Sequence, residues 1–145
     1  GTDVDKDLKD VDIAEPGNTV FTSGSTSQFI VSAKLEREQI RASNKQTLLD
    51  IINNVNISEA EKTAASEKMV AITTSSEKEV AAELMLEAKG FNNVIVSILN
   101  DKVDVVVERE SLTETEIAQI EDIVTRKTDV PVTNLTITPV ESRDK

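Results

Sequence analysis

The side chains of this sequence that could do chemistry are nearly all carboxylates. Its 145 residues include 27 Asp and Glu against 16 Lys and Arg, with no His and no Cys. A histidine-based triad, a Cys–His pair, and the imidazole and thiolate ligands of the commonest metal sites are therefore excluded. Paired carboxylates can still serve as acid and base, but Glu77, Glu79, Glu83 and Glu87 occupy polar positions of a helical pattern. A solvated helix face accounts for them without a pocket. Asn100, Asp101 and Asp104 offer oxygens to a cation, yet Asn-Asp is ordinary turn chemistry, and the glycine and remaining ligands of a calcium loop are missing. The only glycines are Gly1, Gly17, Gly24 and Gly90, so there is no glycine-rich phosphate loop. Asn56-Ile57-Ser58 and Asn134-Leu135-Thr136 match glycosylation acceptors by chance, the first at a helix cap and the second in a strand. The expectation is a protein with no catalytic residues, no metal and no cofactor.

The formal net charge of −11 repels phosphate backbones and anionic lipid headgroups, which argues against nucleic-acid and membrane-surface partners. One pattern runs against that background. Lys34, Arg37, Arg41 and Lys45 recur at steps of three and four and form a basic stripe on one helix. Two readings stand side by side: the stripe lies against an acidic second helix or in solvent, or it docks an acidic partner. On the second reading, reversing Arg37 and Arg41 to Glu weakens partner binding and leaves the fold intact.

The elements that must position these residues are legible in the hydrophobic period. Residues 1–27, acidic and then rich in Gly, Ser and Thr, carry too little apolar surface to offset the entropy of ordering and read as a disordered linker. From Phe29 to Asn53, the positions Phe29, Ala33, Ile40, Leu48, Ile51 and Ile52 fit a helix. Ser58 with Glu61 is a capping box that starts a second helix, carrying Val80, Ala81, Leu84, Met85 and Ala88 toward its end and Gly90 at a left-handed cap. The run Thr73-Thr74-Ser75-Ser76 leaves open whether that helix is continuous.

Beyond Gly90 the period becomes two. Val94, Val96 and Ile98, then Val103, Val105 and Val107 across an Asn100-Asp101 turn, make a β-hairpin with those residues inward and Ile95 and Val106 outward. Thr113 with Glu116 opens another helix, presenting Ile117, Ile120, Ile123 and Val124, and a last strand turns Leu135 and Ile137 inward. The fold class is α+β: N-terminal helices over residues 28–76, then an αββαβ module over 77–140 with a three-stranded sheet packed against helices, and a short tail from 141 to 145. At least one sheet edge is expected to stay open. Helix–hairpin–helix–strand order is shared with KH-type RNA-binding modules, but their G-x-x-G loop is absent and the charge has the wrong sign.

Lys34-Leu35-Glu36-Arg37-Glu38-Gln39, Leu48-Leu49-Asp50-Ile51-Ile52, Glu79 through Lys89-Gly90-Phe91, Val103 to Val107 and Ile117 to Val124 follow in an order and spacing that resembles the stage III sporulation AH proteins of endospore-forming bacteria. The resemblance covers about residues 29–140. It implies a ring-building-type module like that of secretion and flagellar ring proteins. It further implies a mother-cell anchor through an N-terminal transmembrane helix that this chain lacks, making the chain a truncated ectodomain in the space between mother cell and forespore. The implied partner is the stage II sporulation protein Q ectodomain, with a homo-oligomeric ring in a channel. A binding adaptor that never forms rings is the alternative. The family brings no residue-by-residue functional set, so the candidate protein-binding residues come from geometry: Lys34, Arg37, Arg41, Lys45, Ile95, Lys102, Asp104 and Val106.

Overall fold

The computed structural model describes residues 25–141. The linker read over residues 1–27 and the tail from 141 lie outside that range, except for residues 25–27 and Glu141. Two helices, α1 (Ser25–Ile52) and α2 (Glu59–Ala88), form a long antiparallel hairpin. They are followed by β1 (Val94–Leu99), β2 (Lys102–Glu108), α3 (Glu114–Thr128), a 3₁₀ turn (Val132–Asn134) and β3 (Leu135–Val140).

Each boundary has a local cause. Ser58 caps α2 by accepting the Glu61 N–H at 3.2 Å. The Thr73–Ser76 run does not interrupt α2, which is continuous for 30 residues, or about 45 Å at ~1.5 Å per residue. Instead of bonding its own backbone, the Ser76 hydroxyl accepts from Arg41 of α1 at 3.1 Å. At the other end of α2, Phe91 N–H donates to Leu86 O and Gly90 N–H to Glu87 O, both at 3.0 Å. This is a Schellman closure, and it needs the positive φ of +97° that Gly90 supplies. It also drives Phe91 into the core, where it is 1% exposed. Thr113 and Glu116 complete a reciprocal capping box on α3, and Asp129, at φ +63°, ends that helix.

The sheet has the order β1-β2-β3, with β1 and β2 antiparallel and β2 and β3 parallel. α3 is the crossover between the parallel pair. Val94, Val96, Val103, Val105 and Val107 are fully buried on one face, against Ala82 and Leu86 of α2, Phe91, and Ile120, Ile123 and Val124 of α3. Ile98, Leu135 and Ile137 border this core as expected. Each such side chain removed from water contributes roughly 1.5–3 kcal/mol, so this two-layer packing is what fixes the module.

Three expectations are corrected. Ile95 is on the outer face but only 7% exposed, whereas Val106 is half-buried. α1 does not turn its apolar positions inward throughout: Phe29 and Ile40 are 59% and 54% exposed. On α2, Val80 and Leu84 face solvent, while Glu79 and Glu83, expected on a solvated face, are buried.

Candidate interaction surfaces

Glu79 and Glu83 sit one turn apart on α2, at the side that meets both α1 and the outer edge of β1. Arg41 of α1 grips Glu79 in a bidentate pair, with Nη1–Oε1 at 2.5 Å and Nη2–Oε2 at 2.7 Å. The second oxygen of Glu79 also accepts the Ile98 N–H at 2.7 Å. Glu83 Oε2 accepts the Val96 N–H at 2.9 Å and an Arg37 Nη1 bond at 3.2 Å. Arg37 Nη1 in turn donates to Val96 O at 2.8 Å. Lys34 reaches Glu83 and Glu87 at 3.7 and 3.6 Å.

The register explains why these backbone groups are available. Ile95, Ser97 and Leu99 bond to β2, because Glu108 N–H donates to Asn93 O and the two-residue alternation follows from there. Val96 and Ile98 therefore point away from the sheet, toward the helices. Two carboxylates and one guanidinium take the place of a fourth strand, and the β1 edge is closed by side chains. The hydrogen bond from Glu79, reinforced by its charge, raises the Arg41 pKa above its ordinary value despite partial burial.

The far edge belongs to β3. Arg109 N–H donates to Val140 O at 2.9 Å, so Val140, Thr138 and Thr136 bond to β2 and Leu135, Ile137 and Pro139 face outward. Leu135 N–H is already used by Val132 O, and proline has none. One outward N–H, that of Ile137, remains for another strand, so the open edge expected from the sequence is narrow.

A second cluster closes the module at the opposite end of β2. Arg109 lies 4.7 Å from the centre of the Phe91 ring, donates to Glu116 at 2.5 Å and to Gly90 O at 3.1 Å. Glu116 is held below the usual carboxylate range, chiefly by the Thr113 backbone N–H and then by Arg109.

The eight candidate residues thus fall in two places. Lys34, Arg37 and Arg41 are engaged within the chain, which realises the reading of the stripe as lying against the acidic second helix. Lys45 is half-buried, and no ion pair is formed by it among the described residues. Ile95, Lys102, Asp104 and Val106 share the outer sheet face, in cross-strand rows Ile95–Val106–Thr138 and Ser97–Asp104–Thr136. Lys102 and Asp104 are exposed there. Sequence reasoning missed the burial of Glu79 and Glu83. The available signal was their four-residue step, matched by the four-residue step of Arg37 and Arg41 on the preceding helix. The Arg109–Phe91 contact left no signal in spacing.

Among the described residues no acid–base pair converges on a cavity. The buried carboxylates are consumed by guanidinium and backbone donors, and the described residues hold no cluster of three or more potential metal ligands. The absence of His and Cys excludes a histidine-based triad and a thiolate nucleophile. Among the described residues no helix is long and apolar enough to cross a membrane.

Comparison with known proteins agrees with this architecture. A solved chain from the SpoIIQ-SpoIIIAH pore forming complex superposes with a TM-score of 0.67 at 19% identity, covering 79% of this chain and 96% of that one. Stage III sporulation protein AH of Bacillus subtilis (strain 168) is 24% identical over 114 residues, 79% of this chain and 52% of the relative. The chain thus spans about half the length of that curated relative. The family model described as SpoIIIAH-like protein matches residues 2–137. The chain belongs to the SpoIIIAH-like protein family.

Proposed function

We propose that this chain is a structural component of a channel between mother cell and forespore, binding a SpoIIQ-like ectodomain and assembling through its αββαβ module. The observation that carries the reading is the family membership, combined with a fold shared with a chain of the SpoIIQ-SpoIIIAH pore forming complex. On this reading the chain is an ectodomain, held at the mother-cell membrane by a segment outside this sequence and lying in the space around the forespore.

The geometry favours the outer sheet face as the partner surface. The β1 edge is closed by Glu79, Glu83 and Arg37, and the β3 edge offers one donor, so strand addition has little to build on. The face bearing Lys102, Asp104 and Val106 is approached by α1, which packs against β1 and β2, and the part left exposed at Lys102 and Asp104 is charged beside the half-buried Val106. Ile95, being buried, supports Val106 from the adjacent strand and is not itself a contact.

Size-exclusion chromatography with light scattering tests the reading, using the chain alone and mixed with a SpoIIQ ectodomain. A co-eluting complex at micromolar concentration is expected. Separate elution at several hundred micromolar, on the order of a millimolar dissociation constant or weaker, would leave the adaptor alternative in its place.

A further inference from the structure

The helical hairpin leaves an apolar face uncovered on the side away from the sheet. On α1, Val31, Leu35, Glu38, Ala42, Lys45 and Leu49 follow one another at alternating steps of four and three, the spacing of a helix–helix seam. Val31, Leu35 and Leu49 are 62%, 58% and 38% exposed. On α2, Ser66, Val70, Thr73, Glu77, Val80 and Leu84 repeat the same steps, with Val70, Val80 and Leu84 at 66%, 45% and 61%.

The ion pairs place the two stripes side by side. Arg37 and Glu79 meet beside β1, and the same row of ion pairs runs on through Glu83 to Lys34 and Glu87, which lie at its far side from Glu79. Val31 and Leu35 lie one step beyond Lys34 on that far side, and Leu84 and Val80 lie one step beyond Glu87. A shallow groove of about 530 Å³ between Ile52 of α1 and Ser66 and Val70 of α2 continues the face toward the hairpin tip. Six of the large exposed apolar residues of the described chain thus share one surface, which is what a docking site shows and scattered exposure does not.

We propose that this face is a homodimer surface, on which α1 of a second copy lies antiparallel to α1 about a two-fold axis. The stripe is self-complementary in that direction. Setting Val31 on the partner's Leu49 puts Glu38 beside the partner's Ala42 and within one turn of the partner's Lys45. Glu38 is 54% exposed while lying 3.4 Å from Arg37 Nε, so its carboxylate can be shared with a second cation, and Lys45 is the member of the basic stripe that forms no ion pair among the described residues. The two-fold operation makes that pairing twice, once at each side of the axis. The partner's Val31 then approaches the groove at Ile52 and Val70. The contact is independent of any SpoIIQ-like partner, because it uses the helical face and leaves the sheet free.

Sedimentation equilibrium of the whole chain, from about 10 to about 500 µM, tests this in low and high salt. A monomer–dimer equilibrium is expected. It tightens between about 0.05 and about 0.5 M salt, because each copy carries a net charge of −11 and screening relieves their repulsion. Leu35→Glu with Leu84→Glu is expected to weaken association at least about tenfold without lowering the melting temperature, since both side chains are exposed. Lys45→Glu also weakens it, and adding Glu38→Lys restores it.

Because the chain has no cysteine, mixing Glu38→Cys and Ala42→Cys chains reads the register directly, with the mixed disulfide dominating over either homodimer. A chain that stays monomeric at the highest concentration and salt overturns the proposal. Association unchanged by the Leu35 and Leu84 substitutions, or homodisulfides exceeding the mixed one, does the same.

Discussion

Glu79 of α2 and Arg41 of α1 are joined by two parallel hydrogen bonds of 2.5 and 2.7 Å, and the same carboxylate takes the Ile98 N–H of the sheet edge. One fully buried acid therefore ties the helical hairpin and the sheet together. Its burial is tolerated only because every oxygen has a charged or backbone donor.

Removing Arg41 takes both short charged hydrogen bonds from the buried Glu79 and leaves it the Ile98 N–H and Arg37 at 3.4 Å. Arg41→Ala is expected to lower unfolding free energy by about 3–5 kcal/mol, read by urea denaturation. Replacing both members with apolar residues of similar size, Arg41→Met with Glu79→Leu, costs much less than the sum of the single changes. It still leaves Ile98 N–H unpaired, so the loss does not vanish. Additive losses would show that the pair does not couple.

Reversing the stripe itself has a different outcome from the one its sequence suggests. Arg37→Glu with Arg41→Glu places four carboxylates around the β1 edge, and the hairpin is expected to detach from the module. Circular dichroism would show a large drop in melting temperature. Lys45→Glu, at a position with no ion pair among the described residues, leaves melting within about 0.5 kcal/mol of the parent. Equal stability of both variants would contradict the cluster geometry.

Glu116 gives the acid response a definite sign. Its folded pKa lies below the ordinary carboxylate value of 4.5, so its contribution is present above that value and is lost as pH falls through the folded pKa. Glu116→Gln is therefore expected to melt lower than the parent at pH 7. The gap should close as pH drops below the ordinary carboxylate range. A gap that persists at pH 2 would mean the carboxylate charge is not what matters there.

Gly90 is required by its backbone and not by space. A Cβ would meet nothing within 4 Å, but φ is +97°, outside what L side chains adopt readily. Gly90→Ala is expected to cost about 1–2 kcal/mol with no change in the sheet. A thermal melt unchanged from the parent would show that the Schellman closure carries no strain on substitution.

How much of this was legible depends on what each residue answers to. The module follows from local rules: period two in Val94–Val107, the Thr113–Glu116 box and Gly90 each act within a few residues, and the structure realises all three. The hairpin does not follow from its apolar pattern, because charge decides its packing near the module. Phe29, Ile40, Val80 and Leu84 point to solvent so that Arg37 and Arg41 can reach Glu79 and Glu83. That arrangement is set by a strand edge needing partners 13 to 59 residues away, which no helical period encodes. Ile95 lies on the outer face that alternation assigns to it, but alternation does not say what covers a face, and with α1 packed against β1 and β2 the side chain is only 7% exposed.

The most direct test of the assembly reading is to titrate an isotopically labelled chain with a SpoIIQ ectodomain and follow backbone amide shifts. The account predicts binding, with the largest changes at Lys102, Asp104 and Val106 and little change at Arg37 and Arg41, which are held within the chain. Absence of shifts at saturating partner, or shifts centred on the Arg37–Arg41 stretch, would contradict it.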